Sequence, residues 1–182
     1  KGKSYGIEAL YQQKLTKNFY GVFAYTYFHS QFTTTQGNYL PSVWDSRHLI
    51  SFSGGYKLKR NWEISARWRF SGNTPYVPVD QNATLAAYPE VVLDYNKLGN
   101  VKLDPFNLAD IRFDKKWNFK RYSFNFYFEI QNFLAQSVPR PDEYGLDRTE
   151  DGNLILPLNL VKVNTEENNN IPIPSFGFVI DF

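Results

Sequence analysis

The side chains able to carry acid–base chemistry are few and stand apart from one another. The chain has two histidines, His29 and His48, and no cysteine among 182 residues. The absence of Cys removes disulfides, thiolate nucleophiles and thiolate metal sites. Both histidines fall near the outer ends of expected strands, and no Ser-His-Asp spacing accompanies them, so a structural, loop-facing role is expected rather than catalysis. Glu63, Asp110 and Glu129 could pair as carboxylates for general acid–base work. Each has basic neighbours on its own face (Lys57, Arg67, Arg69, Arg112), and a charge-compensating wall network is the expectation. Asp142, Glu143, Asp147, Glu150 and Asp151 supply oxygen ligands of the kind calcium prefers, yet their spacing lacks the EF-hand pattern. A solvated acidic loop is the preferred reading, with loop calcium as the alternative; no other metal or cofactor is expected. Tyr76, Tyr88 and Tyr95 lie among polar residues, where their rings could stack on a sugar or a chelate, or simply pack the loop.

The elements that must position these residues follow from a period of two. In Trp62 to Ser71 the even positions Trp62, Ile64, Ala66, Trp68 and Phe70 are apolar, and the odd positions Glu63, Ser65, Arg67, Arg69 and Ser71 are polar. Only a strand places these sets on opposite faces. The same alternation runs through Ser4 to Leu15, Phe19 to Phe32, His48 to Leu58, Ala109 to Trp117, Tyr122 to Phe133 and Ser175 to Phe182. In Phe19 to Phe32 the even face is less polar than elsewhere. The pattern predicts about seven strands. One face would carry Glu8, Lys57, Glu63, Arg67, Arg69, Asp110, Arg112, Asp114 and Glu129. Counting back from Lys59-Arg60-Asn61 places Lys57 opposite Glu63, a cross-strand pair worth roughly 0.2–1 kcal/mol.

The connections alternate in length. Thr16 to Asn18, Lys59 to Asn61 and Asn118 to Arg121 are short; Thr33 to Arg47, Gly72 to Phe106 and Leu134 to Pro174 are long. Outer-membrane barrels combine short periplasmic turns with long extracellular loops, and flank their apolar band with aromatic girdles. Phe19, Trp62, Trp117 and Tyr122 adjoin the short turns, as such a girdle would. Aromatic residues make up 18% of the chain, enough to stripe most strands with rings. No run approaches the roughly 20 apolar residues of a spanning helix, and a mean hydropathy of −0.47 is compatible with strands that touch lipid at every second residue. The near balance of 20 Lys+Arg and 18 Asp+Glu leaves no basic footprint for nucleic acid. The expected fold is all-β, an antiparallel transmembrane β-barrel segment; a soluble β-sandwich is the competing architecture. With the short turns in the periplasm, the last strand ends there and Lys1 lies on the extracellular side. An odd strand count would leave open edges in lipid, so further strands are expected, upstream in the mature protein or on another chain.

Several motifs resemble one family. Asp45-Ser46-Arg47-His48 resembles the Asp-x-Arg-His that leads into a late strand of TonB-dependent outer-membrane receptors. Ser71-Gly72-Asn73-Thr74-Pro75-Tyr76 is similar to their Ser-Gly-x-Pro-Tyr, with one residue inserted. Asn107 to Lys115 resembles an Arg/Asp-rich strand, and Glu129 to Phe133 the end of the next-to-last strand. Phe176, Phe178, Ile180 and Phe182 resemble the C-terminal signal read by the barrel assembly machinery. The Tyr/Asn/Lys-rich style resembles receptors of Bacteroidetes. The resemblance implies that residues 1–182 form the C-terminal portion of a barrel of about 22 strands, roughly its last seven, in the outer membrane of a Gram-negative bacterium. It implies import of a scarce solute (metal chelate, glycan or peptide). The partners implied are outer-membrane lipid, upstream strands with a plug, the TonB complex through that plug, and in some members a surface lipoprotein. A passive porin, a surface adhesin and a barrel enzyme are the competing functions.

Overall fold

Seven long strands pair in sequence order into one antiparallel sheet. In the computed structural model, which describes residues 1–33, 37–163 and 170–182, these are β1 (Gly2–Thr16), β2 (Phe19–Thr33), β4 (His48–Lys57), β5 (Trp62–Ser71), β6 (Phe106–Asn118), β7 (Ser123–Gln131) and β10 (Ile173–Asp181). Their order across the sheet is β1-β2-β4-β5-β6-β7-β10. β1 and β10 are its two edges. Short β3 (Tyr39–Pro41) adds to the outer end of β2. No helix among the described residues is long and apolar enough to cross a membrane.

Register aligns the alternating residues into continuous rows. One row of the apolar face runs Phe19, Tyr56, Ile64, Phe113, Phe128, Phe176 across six strands. The next but one joins Tyr11, Phe23, Phe52, Trp68 and Ala109. The opposite face carries Glu8, Lys57, Glu63, Arg67, Arg69, Asp110, Arg112, Asp114 and Glu129, the full charged set expected from alternation. Lys57 stands opposite Glu63 as the turn length predicts.

No second layer covers the apolar face. Among the described residues only Pro75, Leu98 and Ala109 are buried apolar side chains, while Ile7 is 73%, Phe176 76% and Phe178 67% exposed. A soluble β-sandwich would hide such rows against a facing sheet. At about 25 cal/mol per Å² of apolar surface, leaving them in water would cost far more than a domain's net stability. These rows require a nonaqueous surrounding.

The short-turn end carries interfacial chemistry. Trp62, Trp117, Phe19 and Tyr122 are each close to half exposed. Lys115 falls on the apolar face between Trp62 and Trp117, its Nζ 5.2 and 5.5 Å from their ring centroids, and donates to the Arg60 carbonyl. An ammonium reaching from a lipid-facing site to a turn carbonyl is snorkelling.

The long connections are more structured than alternation suggests. Between β5 and β6 lies α1 (Gln81–Ala87), capped by Asp80 Oδ1, which accepts from Ala83 N at 3.0 Å. Between β7 and β10 lies a separate hairpin, β8 (Glu143–Leu146) with β9 (Leu160–Val163). These pieces are four to seven residues long. Elements so short give too few periods for the pattern to register. The parts of the long connections at 34–36 and 164–169 lie outside the described residues.

Candidate functional site

The polar face gathers its charges at the short-turn end. Arg112 is the hub. Its guanidinium donates twice to Asp114, both at 2.8 Å, lies 3.7 Å from Glu129, and sits over the Tyr127 ring at 4.0 Å. Asn125 donates to Asp114 at 3.0 Å. Tyr20, reaching from β2 across the bare backbone of Gly55, donates its hydroxyl to Glu63. A Cβ at position 55 would collide with that ring, so the glycine permits the reach. Lys116 and Ser123 engage Asp181 at 3.7 and 3.2 Å, tying β6 and β7 to β10. Bidentate and charge-assisted bonds are the strong members of such a network.

The expected network is therefore only partly assembled. Lys57 and Glu63 face each other in register, but the Glu63 carboxylate takes the Tyr20 hydroxyl and no Lys57–Glu63 ion pair forms among the described residues. Asp110 accepts from the Asn132 backbone N–H at 3.0 Å instead of closing on a cation. Arg67, Arg69 and Glu8 have no ion pair or side-chain hydrogen bond among the described residues. Register puts these residues on one face of the sheet; partner choice depends on side-chain reach across strands. Tyr20, Asn125, Lys116 and Asp181 join the network beyond the charged residues expected in it. The signal available for Tyr20 was its place on the even face of β2, beside a glycine of the next strand.

The outer end of the sheet carries a second cluster, built from the Asp-x-Arg-His segment. Asp45 is almost wholly buried. Its Oδ1 accepts from Ser30 N at 3.0 Å and its Oδ2 from Arg47 Nε at 3.1 Å. Arg47 Nη1 then lies 2.7 and 2.9 Å from the ring nitrogens of His29, and its carbonyl accepts from Phe28 N at 3.0 Å. The neighbouring turn is fixed by Gly72, whose N–H donates to His48 O at 2.8 Å and whose missing Cβ leaves room for the Ser46 carbonyl. Thus Asp-x-Arg-His and Ser-Gly form one clamp joining β2, β4 and β5.

The histidines meet the loop-facing expectation in part: His29 touches Arg47 of the long connection, and His48 touches tyrosines of β2. His29 stacks on Tyr5 with centroids 4.9 Å apart and meets the Tyr27 hydroxyl at 2.9 Å; His48 meets the Tyr25 hydroxyl at 3.0 Å. Both lie along the apolar face, because their strand positions share the phase of its tyrosines. The rings form an aromatic rim there, and His29 in addition meets Arg47 of the long connection.

The three loop tyrosines do not converge. Tyr76 is half-buried beside the β8–β9 hairpin; burial pushes its phenol pKa up, helped by the nearby Asp142 carboxylate. Tyr88, 49% exposed, ends α1, and Tyr95 is 66% exposed. In the acidic loop Asp142 pairs with Lys162 at 2.7 Å. Among the described residues no three of the His, Asp and Glu side chains gather as a metal would need.

At the C-terminus, Phe176, Phe178 and Ile180 stand opposite Phe128, Phe126 and Phe124 on the apolar face. Phe182 follows the end of β10, almost fully exposed, with its ring 6.5 Å from that of Tyr122.

A single antiparallel layer, aromatic on one face and charged on the other, with short turns at one end and long connections at the other, is the wall of an outer-membrane β-barrel. The family model described as TonB dependent receptor-like, beta-barrel matches residues 1–133, and the chain belongs to this family of outer-membrane transporters. The match spans β1 through β7. A search of curated proteins found no match to the chain.

Proposed function

We propose that residues 1–182 are the C-terminal part of the barrel of a TonB-dependent receptor that imports a scarce solute, a metal chelate, glycan or peptide, across the outer membrane of a Gram-negative bacterium. The observation that carries this reading is the two-faced single sheet in a chain of this family. The apolar rows face lipid. The charged face, with Glu8, Lys57, Glu63, Arg67, Arg69, Asp110, Arg112, Asp114 and Glu129, lines the lumen. The edges β1 and β10 find their partners in further strands, since open edges in hydrocarbon leave costly unpaired backbone groups. A plug fills the lumen, rests on the wall charges and carries the contact to TonB. The outer connections, with Tyr76, Tyr88 and Tyr95, meet the solute and could receive a surface lipoprotein. Uptake by cells expressing the full-length receptor should stop when an uncoupler collapses the proton-motive force. Uptake that continues unchanged, with ion conductance by the purified protein, would identify a passive channel instead.

Phe176, Phe178, Ile180 and Phe182 serve as the assembly signal. Phe182→Lys should reduce the folded receptor in the outer membrane several-fold, read from heat-modifiable migration on gels. Normal surface levels of that variant would remove the signal from this account.

A further inference from the structure

The polar face has two zones of opposite character. The short-turn end is charge-paired around Arg112, whereas the end toward the long connections exposes apolar side chains on the charged side of the sheet. Leu49, Phe106 and Leu108 frame a groove of about 430 Å³ with Ala24, Thr26 and Arg69. Register sets Thr26 beside Leu49, and Arg69 between Ser51 and Leu108. This is the less polar even face of β2 that alternation noted without explaining.

Arg69 is exposed and has no ion pair or side-chain hydrogen bond among the described residues; the same holds for Arg67, one row deeper. The carboxylates nearest in register do not neutralise them. Glu8 lies three strands from Arg69, and Asp110, opposite Arg67, accepts from Asn132 N. A guanidinium stays charged at any physiological pH and binds a carboxylate through two parallel N–H bonds. Placed against apolar walls, it would recognise a molecule with both an anionic group and an apolar body. A neutral glycan would leave the guanidinium unmatched and wet the apolar wall.

Resting on the reading of the polar face as the lumen wall, we propose that this groove binds an amphipathic anion, an aryl or alkyl carboxylate. Arg69, backed by Arg67, holds the anionic group, and Leu49, Phe106 and Leu108 seat the apolar body.

The test uses the full-length receptor in lipid nanodiscs with fluorescent 2-naphthoate as probe, and 2-naphthamide and acetate as controls. 2-Naphthoate should bind about tenfold or more tighter than the uncharged amide, in line with a charge-assisted pair, and acetate should not compete at matched concentration. Arg69→Gln, or the double variant Arg67→Gln with Arg69→Gln, should reduce naphthoate binding to the level of the amide. Leu49→Asn should weaken both aromatic probes. Equal affinity for acid and amide, or no effect of the arginine changes, would overturn the proposal. So would naphthoate binding that occurs only after deletion of the plug, which would make the groove a seat for the plug. A water-soluble maleimide on Arg69→Cys, applied to this receptor and to the same receptor without its plug, separates the two levels: labelling without naphthoate binding rejects the ligand alone, and absence of labelling in both rejects the lumen reading beneath it.

Discussion

Ala66→Arg should largely abolish the folded receptor, whereas Ala24→Arg should leave it in the membrane at near-normal levels. The two changes are chemically identical and differ in face. Ala66 stands mid-strand in β5, in the row Gly21, Gly54, Ala66, Ile111, Ile130, with rows of large aromatic side chains on either side. A guanidinium there enters the hydrocarbon, which for a barrel wall costs about 2–4 kcal/mol near the midplane. Ala24 stands between Leu10 and Ser51 on the polar face and borders an open groove, so the new side chain can reach water. Its effect should stay within about 1 kcal/mol, the range of ordinary solvent-facing changes. The comparison is read by heat-modifiable migration and by guanidinium unfolding of the full-length receptor in liposomes. Equal tolerance at both positions would mean that the aromatic face does not meet lipid.

The second large effect concerns the clamp at the outer end. Asp45→Ala should destabilise the receptor by about 2 kcal/mol, because removing the buried carboxylate leaves its donors unpaired. The Asp45 side chain is fully shielded, and its loss leaves Ser30 N–H and Arg47 Nε without acceptors. Arg47 would also lose the anchor that holds it against His29. Asp45→Asn keeps an oxygen for one of the two donors and should recover about half of the loss. A shift of the unfolding midpoint, together with faster proteolysis between Tyr39 and Arg47, is the expected result. An alanine variant indistinguishable from the parent would reduce the clamp to an incidental contact.

Much of this architecture was legible in the residues because alternation is a strong signal in strands ten or more residues long. Trp62 to Ser71 carries five complete periods, and its bounds match β5. The turn Lys59-Arg60-Asn61 fixed the Lys57–Glu63 register by its length alone. What alternation could not provide was contact. Whether Glu63 meets Lys57 or Tyr20 depends on a phenol crossing a glycine of the intervening strand, a relation among three segments distant in sequence. The histidines illustrate a second limit: proximity to a loop suggested that they face it, yet strand phase aims both at the tyrosine face, and only His29 also reaches the loop through Arg47. Short elements marked the third limit. The β8–β9 hairpin and α1 contain too few residues for a period to stand out, and apart from the Asp80 cap nothing local announces them.

The central claim is that one face of this sheet meets lipid and the other meets water. A cysteine series along β5 tests it most directly, made in a cysteine-free full-length receptor and, in parallel, in the same receptor without its plug. Each membrane sample is treated with a water-soluble maleimide. Ser65→Cys, Arg67→Cys and Arg69→Cys should react, most fully without the plug, while Ile64→Cys, Ala66→Cys and Trp68→Cys should stay unlabelled until the membrane is dissolved and the protein unfolded. Labelling that is uniform along the strand, or that follows the even positions, would contradict the account.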